Sequence, residues 1–282
     1  MNILTFDIEE WFHLLNYKYS KNETDWNRYP ERINANVDYI LETIQRYDQK
    51  ATFFILGWIA EKYPDIVKKI ASLGYEIGCH TGFHQLVNRM SPESFRSDLS
   101  RTVKILEDVS GQKITLFRAP GFSIKPENTW AFEILAECGI STDCSFFPSG
   151  FPGTGLLYKM GSQPLVLRYG SNTIKELPVS SSGILGYRAV FSGGGYFRVC
   201  SYSLIRHWTN RSSYVMTYFH PRDFDSEQPM LEGLPAIRKF RSYTGLKSSR
   251  NKFERWLSEF RFVDIATADS MIDWKNVKTI HL

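Results

Sequence analysis

The 282-residue sequence has few cysteines, no long apolar run and no strong excess of charge of one sign. Its cysteines are Cys79, Cys138, Cys144 and Cys200. Because no two of them have C-x-x-C spacing, we expect free, mostly packed thiols. No window approaches the roughly 20 apolar residues that a membrane helix needs, and the first residues, MNILTFDIEEWFHLL, lack the basic region and cleavage site of a secretory signal. These absences together favour a cytoplasmic protein in a reducing compartment.

The charge balance argues against nucleic acid as the partner. Lys and Arg number 34, Asp and Glu number 30, and the formal net charge is +4. The chain has no long basic run, and we interpret the basic stretch KFRSYTGLKSSRNKFER (239–255) as the solvated face of a helix. The alternative for this stretch is contact with an anionic surface or a polyanionic substrate.

The first half of the sequence alternates short apolar runs with stretches of helical period. The predicted strands are NILTFDI (2–8), ATFFIL (51–56), YEIGC (75–79), ITLFRAP (114–120) and ISTDCS (140–145). The predicted helices cover residues 33–44, 59–73, 92–110 and about 126–138. This alternation is typical of parallel strands covered by helices. Since no break in composition divides the chain, we predict an α/β fold in one domain, residues 1–282.

The pattern changes after residue 145. Residues 146–163 are rich in Gly, Pro and Ser and are predicted to form a loop, and GGGYF (193–197) a glycine hinge or turn. Further strands are predicted at PLVLRYG (164–170), TIKELPVS (173–180), YVMTYF (214–219) and FRFVDIAT (260–267), with a helix at about 246–259.

Polar side chains capable of chemistry fall at the C-terminal ends of the predicted strands. They are Asp7, Glu9, His80, His84, Arg118, Asp143 and His220, with Pro120 and Gly121 following Arg118. In a parallel barrel these ends meet on one face, which is where the active sites of barrel enzymes lie. We therefore predict that these residues converge on one site.

The histidine pair and the acidic pair each have a structural and a catalytic interpretation. His80 and His84, in HTGFH, could be packed in a loop or could give one divalent cation two nitrogen ligands. Asp7 and Glu9 share a strand face because side chains alternate. They could be solvated acids, or one could bind a metal while the other acts as a base. Glu10 and His13 stay open as further ligands.

The remaining residues are equally ambiguous when taken singly. Arg118 could be a structural cation or could hold a carboxylate by a charge-assisted contact. His220 could be a core histidine or a general acid, because its ordinary pKa lies near neutrality. Asp143 could cap a turn or could orient His220.

Five motifs, taken together, resemble a known family. TFDIEEWFH, HTGFH, FRAPGFSI, STDCSFFP and YFHPRDF, in this order, resemble the polysaccharide deacetylases with the NodB homology domain, carbohydrate esterase family 4. The resemblance runs from residue 3 to about 225. The GGGYFR stretch and the tail to about 264 resemble a subgroup found in exopolysaccharide export gene clusters.

The resemblance implies a deformed (β/α)7-type barrel of about residues 1–225, with residues 226–282 packed on it. It also implies metal-dependent hydrolysis of the N-acetyl group of a sugar, in a polysaccharide or its precursor. The implied metal is a divalent cation, Zn²⁺ first, with Co²⁺ or Ni²⁺ as alternatives. The sugar, its linkage and the oligomeric state are left open.

The resemblance also implies roles for the residues. His80 and His84 match the histidine ligands, and Asp7 matches the base that takes a proton from the attacking water. Arg118 matches the arginine that braces the base. His220 matches the acid that protonates the leaving amine. Asp143 falls in the motif that tunes this acid, and we place an oxyanion contact at the backbone of Pro120 and Gly121.

One position departs from the common pattern of the family. Most members have two adjacent aspartates, but Ile8 follows Asp7 here. Members with D-x-D spacing supply the acidic ligand two positions later, which makes Glu9 the expected third ligand. Metal-independent relatives that hydrolyse cyclic amides or ureides often alter this motif, so such a hydrolase is one alternative. A non-catalytic carbohydrate-binding protein on the same fold is another.

Overall fold

The structure, a computed structural model, describes residues 1–15, 17, 23–148, 162–184 and 187–282. Within these residues the helices are α1 (Glu23–Trp26), α2 (Ile33–Arg46), α3 (Gly57–Lys62), α4 (Pro64–Ser72), α5 (Pro92–Ser110), α6 (Trp130–Glu137), α7 (Gly194–Val199), α8 (Tyr202–Arg211), α9 (Ala236–Tyr243), α10 (Leu246–Glu259) and α11 (Ile265–Met271). The strands are β1 (Asn2–Ile3), β2 (Thr5–Ile8), β3 (Thr52–Ile55), β4 (Glu76–Cys79), β5 (Leu116–Phe117), β6 (Thr142–Asp143), β7 (Leu165–Tyr169), β8 (Asn172–Glu176), β9 (Ser182–Ile184), β10 (Tyr187–Ala189), β11 (Val215–Met216) and β12 (Lys278–His281).

The strands form the wall of a deformed barrel. β2, β3, β4, β5, β6 and β8 are neighbours in this order, and each adjacent pair is parallel. On the other side of the first segment, β1 pairs in parallel with β11, and Phe6 bridges to Phe219. Counting residues 2–8 as one segment, the barrel wall has seven parallel segments among the described residues. The predicted (β/α)7-type fold is therefore confirmed.

The barrel is deformed where β8 approaches β11. The backbone N–H of Met216 donates to Oγ of Ser180 at 3.2 Å, and Oγ of Ser192 donates to the Met216 carbonyl at 2.7 Å, so side chains join this part of the wall. On its outer edge β8 pairs with antiparallel β7, which in turn pairs with β12.

The sequence accounts for most of these elements. β2 and β3 are buried at every position, as expected for strands covered on both faces. In α5, Oγ of Ser91 accepts the N–H of Ser94 at 3.2 Å, Pro92 occupies the first turn, and Gly111 ends the helix with φ 68°. The four cysteines are free, as predicted. None of the helices in the described residues is long and apolar enough to cross a bilayer.

Three predictions about elements are corrected. The helix predicted over 59–73 is two helices, because Pro64 begins a second one. GGGYF is the first part of α7 and not a hinge. FRFVDIAT is not a strand: Val263 makes a single bridge to Ile3, and α11 then begins with Oδ1 of Asp264 accepting the N–H of Thr267. Most of the predicted 146–163 loop, residues 149–161, lies outside the described residues.

The glycines of GGGYF permit close backbone approaches. A Cβ on Gly193 would lie 2.3 Å from the Tyr218 carbonyl oxygen, and one on Gly195 would lie 2.8 Å from that of Arg241. The first contact belongs to the bridge between Gly193 and the 215–219 segment. These glycines therefore bring α7 against both the barrel wall and the end of α9.

Residues 226–282 lie against the barrel. α10 packs on the turn Pro221–Phe224 and on α7, with the rings of Phe253 and Phe224 4.6 Å apart and those of Trp256 and Phe197 5.4 Å apart. Nζ of Lys252 donates to the carbonyls of residues 197, 198 and 200. Part of the basic stretch 239–255 therefore makes hydrogen bonds within the molecule. The prediction that this stretch is a solvated helix face holds for only some of its residues.

Candidate active site

A cavity of about 510 Å³ opens at the C-terminal ends of the parallel strands. Its lining includes Asp7, Glu9, His80, His84, Gly121 and His220. Arg118 lies directly beneath, fully buried. The structure thus brings together these predicted residues from separate parts of the sequence.

Glu9, His80 and His84 form a compact group of ligand atoms. One ligand atom from each lies within 4.8 Å of the others, and Oε2 of Glu9 is 2.6 Å from Nε2 of His84. Nδ1 of His80 is 2.7 Å from the Arg118 carbonyl oxygen, which leaves Nε2 as its ligand atom. Two imidazoles and one carboxylate are a donor set that catalytic zinc sites use, so these residues fit a divalent cation.

The electrostatics favour the ligand forms of Glu9 and His80. Burial lowers the pKa of His80 to about 4, so its imidazole is neutral near neutrality. Burial raises the pKa of Glu9, but the three neighbouring histidines, His84 first and then His220 and His80, together outweigh burial and hold this pKa below its usual range. A metal binds the neutral imidazole and the ionised carboxylate, so both pKa shifts favour the forms that bind a metal.

Asp7 is held by Arg118. Nη1 of Arg118 is 2.7 Å from Oδ1 of Asp7 and donates to Oγ1 of Thr5 at 2.8 Å. The guanidinium lies 4.3 Å from the ring centre of Phe54, and its Nε donates to the Cys144 carbonyl at 3.2 Å. These contacts fix the orientation of the carboxylate and leave Oδ2 facing the cavity.

His220 lies opposite Asp7 in the cavity. Its Nε2 is 3.8 Å from Oδ2 of Asp7 and 4.0 Å from Oε1 of Glu9, and its Nδ1 is 3.0 Å from Oδ2 of Asp223. Burial lowers the pKa of His220, but the hydrogen bond and charge of Asp223, with the charges of Glu9 and Asp7, raise it to about 9. These contacts therefore favour the protonated form of His220.

The structure corrects the predicted role of Asp143. Its Oδ1 accepts a hydrogen bond from Oγ of Ser145 at 2.6 Å, and its carboxyl hydrogen-bonds with that of Glu176 on the neighbouring strand β8. Burial raises the pKa of Asp143 to about 6 and that of Glu176 well above its usual value. Asp143 thus belongs to a buried carboxyl pair, and Asp223 is the partner of His220.

Asp223 and Arg198 are site residues that the sequence interpretation missed. Nε of Arg198 is 3.0 Å from Oδ1 of Asp223, and both side chains are buried. The spacing in H-P-R-D could have indicated Asp223, because a proline after His220 begins a turn whose third residue reaches back. Nothing local to the sequence indicates Arg198, which reaches the site from α7.

Glu10 and His13, which the sequence left open as ligands, do not belong to the compact group. Oε1 of Glu10 accepts the backbone N–H groups of Arg32 and Ile33, and burial raises the pKa of Glu10 to about 7. Nδ1 of His13 accepts the N–H of Glu10 at 3.2 Å, and its ring packs against those of residues 26 and 58. Burial lowers the pKa of His13 to about 3.

Pro120 and Gly121 begin a tight turn after Arg118. Gly121 has φ 59°, and a Cβ there would lie 2.4 Å from Cδ1 of Leu15. The turn therefore requires glycine both for its backbone conformation and for space. It brings the backbone of Gly121 to the cavity lining.

A compact carboxylate–histidine group, an arginine-held aspartate and a histidine–aspartate pair define a hydrolase-type site on an α/β barrel. Comparison with known proteins gives the family. Residues 4–142 match the polysaccharide deacetylase family, and residues 144–269 match a domain of unknown function, DUF3473. This chain therefore carries a polysaccharide deacetylase domain of the NodB type followed by DUF3473.

The boundary between the two family matches divides the site. The first match contains Asp7, Arg118 and the Glu9–His80–His84 group, whereas the second contains His220 and Asp223. It falls near residue 143, and the barrel wall continues beyond this point to β11. Both matched regions are therefore needed to complete the site.

Individual relatives agree with this assignment. A peptidoglycan-N-acetylglucosamine deacetylase of Bacillus cereus is 37% identical over 95 residues, which is 33% of this chain and 34% of that protein. The crystal structure of a Mycobacterium smegmatis protein assigned to the polysaccharide deacetylases has a TM-score of 0.67 at 17% identity, covering 99% of this chain and 92% of that one. A CE4 family pseudoenzyme of Bacillus anthracis also shares the fold, with a TM-score of 0.50 at 13% identity over 99% of this chain and 68% of that one. The chain spans less than half the length of the first curated relatives it matches.

Proposed function

We propose that this protein is a carbohydrate N-deacetylase, which hydrolyses the N-acetyl amide of a sugar in a polysaccharide or its precursor. The observation that carries the proposal is the convergence of the Glu9–His80–His84 group, Asp7 and His220 on one cavity. The named deacetylases among its relatives support the same reaction. Since a pseudoenzyme shares the fold, the proposal depends on these side chains and not on the barrel.

We propose Zn²⁺ as the metal, with Co²⁺ or Ni²⁺ as alternatives, held by Glu9, His80 and His84. A bound divalent cation supplies a Lewis acid, which polarises the acetyl carbonyl and lowers the pKa of a water molecule. His80 would bind through Nε2, because its Nδ1 faces the Arg118 carbonyl oxygen.

Asp7 is the proposed base. Its Oδ2 faces the cavity while Arg118 holds Oδ1, so one oxygen is oriented and the other is available for a proton. The attacking water loses its proton to Oδ2 as it adds to the acetyl carbon. Arg118 positions this carboxylate and does not itself touch the substrate in the proposal.

His220 is the proposed acid. Its protonated Nε2 donates a proton to the sugar nitrogen as the C–N bond breaks, which lets the nitrogen leave as an amine. Asp223 accepts from Nδ1 and so directs Nε2 into the cavity. We place the developing oxyanion near the backbone N–H of Gly121, at the turn that follows Pro120.

Acetate release from a panel of N-acetylated glycans and precursors, with and without a chelator, tests this function. We expect acetate from at least one substrate, loss of the activity with chelator, and recovery when Zn²⁺ is returned. Hydrolysis of a cyclic amide that survives chelation would support the metal-independent alternative. Sugar binding with metal present but without acetate would support the binding-protein alternative.

We also propose a cytoplasmic location, which the four free cysteines support. Cell fractionation tests it: recovery of the protein outside the cell would contradict it.

A further inference from the structure

One face beside the cavity carries most of the exposed large apolar side chains in the described part of the chain. Five of the seven such residues lie there, each between 45% and 64% exposed. They are Tyr196 and Val199 on α7, Ile237 and Phe240 on α9, and Met230, whose neighbours Pro229 and Leu231 hydrogen-bond with the Tyr243 hydroxyl at the end of α9. Tyr196, Val199 and Phe240 also line the cavity, so this apolar face adjoins the cavity. We call these five residues the apolar rim.

None of the residues of α9 is buried, so contacts from other parts of the chain must hold this helix. Arg198 holds its C-terminal end by donating to the carbonyls of Arg241, Ser242 and Thr244. The same guanidinium pairs with Asp223, the partner of His220. Arg238 also donates to the Leu15 carbonyl, so α9 is held at both halves, while the side chains of residues 237 and 240 are exposed.

Positive charge borders the rim on the side of α9, whereas Glu227 and Glu232 lie near Met230 in the chain. Residues 236–253 contain no Asp or Glu, and the side chains of Lys239, Arg241 and Lys247 are exposed. A short helix that combines exposed apolar side chains with Lys and Arg is typical of segments that lie at the surface of an anionic bilayer. Contiguous apolar surface of this kind usually marks an interaction site.

We propose that the apolar rim, with Lys239 and Arg241, docks on an anionic lipid bilayer and holds the opening of the cavity against it. A two-fold dimer through the same face would bring Lys239 and Arg241 of both copies together, so like charges disfavour that occupant. A soluble polyanion would make no use of Ile237 and Met230. This inference goes beyond the proposed deacetylation and does not depend on it.

Flotation with lipid vesicles, in the absence of any sugar, tests the proposal. We expect the protein to bind vesicles of phosphatidylcholine mixed with phosphatidylglycerol, to bind phosphatidylcholine alone weakly, and to lose binding as salt is raised. The Met230→Ser/Ile237→Ser variant should lower the partition coefficient about tenfold or more, because two apolar side chains no longer enter the interface. Leu73→Ser/Met271→Ser is the matched control, since it removes exposed apolar side chains elsewhere, and should bind as the wild type does.

A second pair of variants tests the charge. Lys239→Glu/Arg241→Glu should abolish the preference for phosphatidylglycerol, whereas Lys104→Glu on α5 should keep it. All these side chains are exposed, and a melting curve by circular dichroism checks each fold. The proposal is overturned if the wild type fails to bind anionic vesicles, or if the rim and control variants lose binding equally. It is also overturned if sedimentation shows a dimer that Met230→Ser/Ile237→Ser dissociates while vesicle binding is absent.

Discussion

At the scale of single residues, the site depends on pairs in which one side chain orients another. Arg118 holds Asp7, the Arg118 carbonyl holds His80, and Asp223 holds His220. The sequence could predict the members that face the cavity, because each lies at or just after the C-terminal end of a buried strand. It could not predict Arg198, because that contact depends on how α7 packs against the barrel.

The structure gives His220 the partner Asp223 and not the predicted Asp143, and substitutions at these two positions test this assignment. We expect Asp223→Asn to lower kcat for acetate release by about 10²-fold with little change in KM, because His220 loses the charge that orients and protonates it. Asp143→Asn is the matched comparison. It should retain far more activity, since Asp143 contacts Ser145 and Glu176. Equal losses of kcat in the two variants would indicate that Asp143 also has a role in the active site.

At the scale of elements, the sequence predicted the strands and helices of the first half well and those of the second half less well. Runs such as ATFFIL are buried on both faces and therefore have no competing interpretation. FRFVDIAT has the composition of a strand, but Phe262 packs against Trp256 of α10 and Asp264 caps α11. Tertiary packing therefore determines the conformation of this segment. α8 and α9 were missed because they are short, 10 and 8 residues, so that neither shows a sustained helical period.

Two glycines with nearly the same backbone conformation test how α9 is joined to α7. Gly245 has φ 80° and Gly74 has φ 77°, but a Cβ on Gly245 would lie 2.3 Å from the Arg198 carbonyl oxygen, whereas one on Gly74 meets nothing within 4 Å. Gly74→Ala should cost ~1–2 kcal/mol of unfolding free energy from backbone strain alone. Gly245→Ala should cost clearly more and should also lower kcat, because Arg198 must shift from Asp223. Denaturant unfolding and acetate release measure both, and equal unfolding costs would contradict this account.

At the scale of the whole molecule, the buried pair of Asp143 and Glu176 makes stability depend on pH. Both pKa values are raised by burial, so the folded state holds protons that the unfolded state releases. The stability they contribute is fully present below the unfolded carboxyl pKa, ~4, and is lost as pH rises through the folded values. In the Glu176→Gln variant, the side chain at this position cannot ionise.

We therefore expect the unfolding free energy of the wild type to fall, relative to that of Glu176→Gln, as pH rises above the ordinary carboxyl pKa of ~4. Urea unfolding at several pH values measures the difference. Glu137→Gln, at a half-exposed position of α6, is the control and should follow the wild type. If the unfolding free energy of Glu176→Gln changed with pH in parallel with that of the wild type, the pair of Asp143 and Glu176 would not account for the pH dependence.

The central claim is that the Glu9–His80–His84 group holds the metal on which N-deacetylation depends. The most direct test is acetate release by metal-free protein as Zn²⁺ is added, for the wild type, His80→Ala and Glu10→Gln. We expect wild-type activity to rise in proportion to zinc and to level off at about one equivalent. His80→Ala should stay at background, and Glu10→Gln should respond to zinc, since Glu10 faces the backbone of residues 32 and 33. Full acetate release by the metal-free protein, or by His80→Ala, would contradict the account.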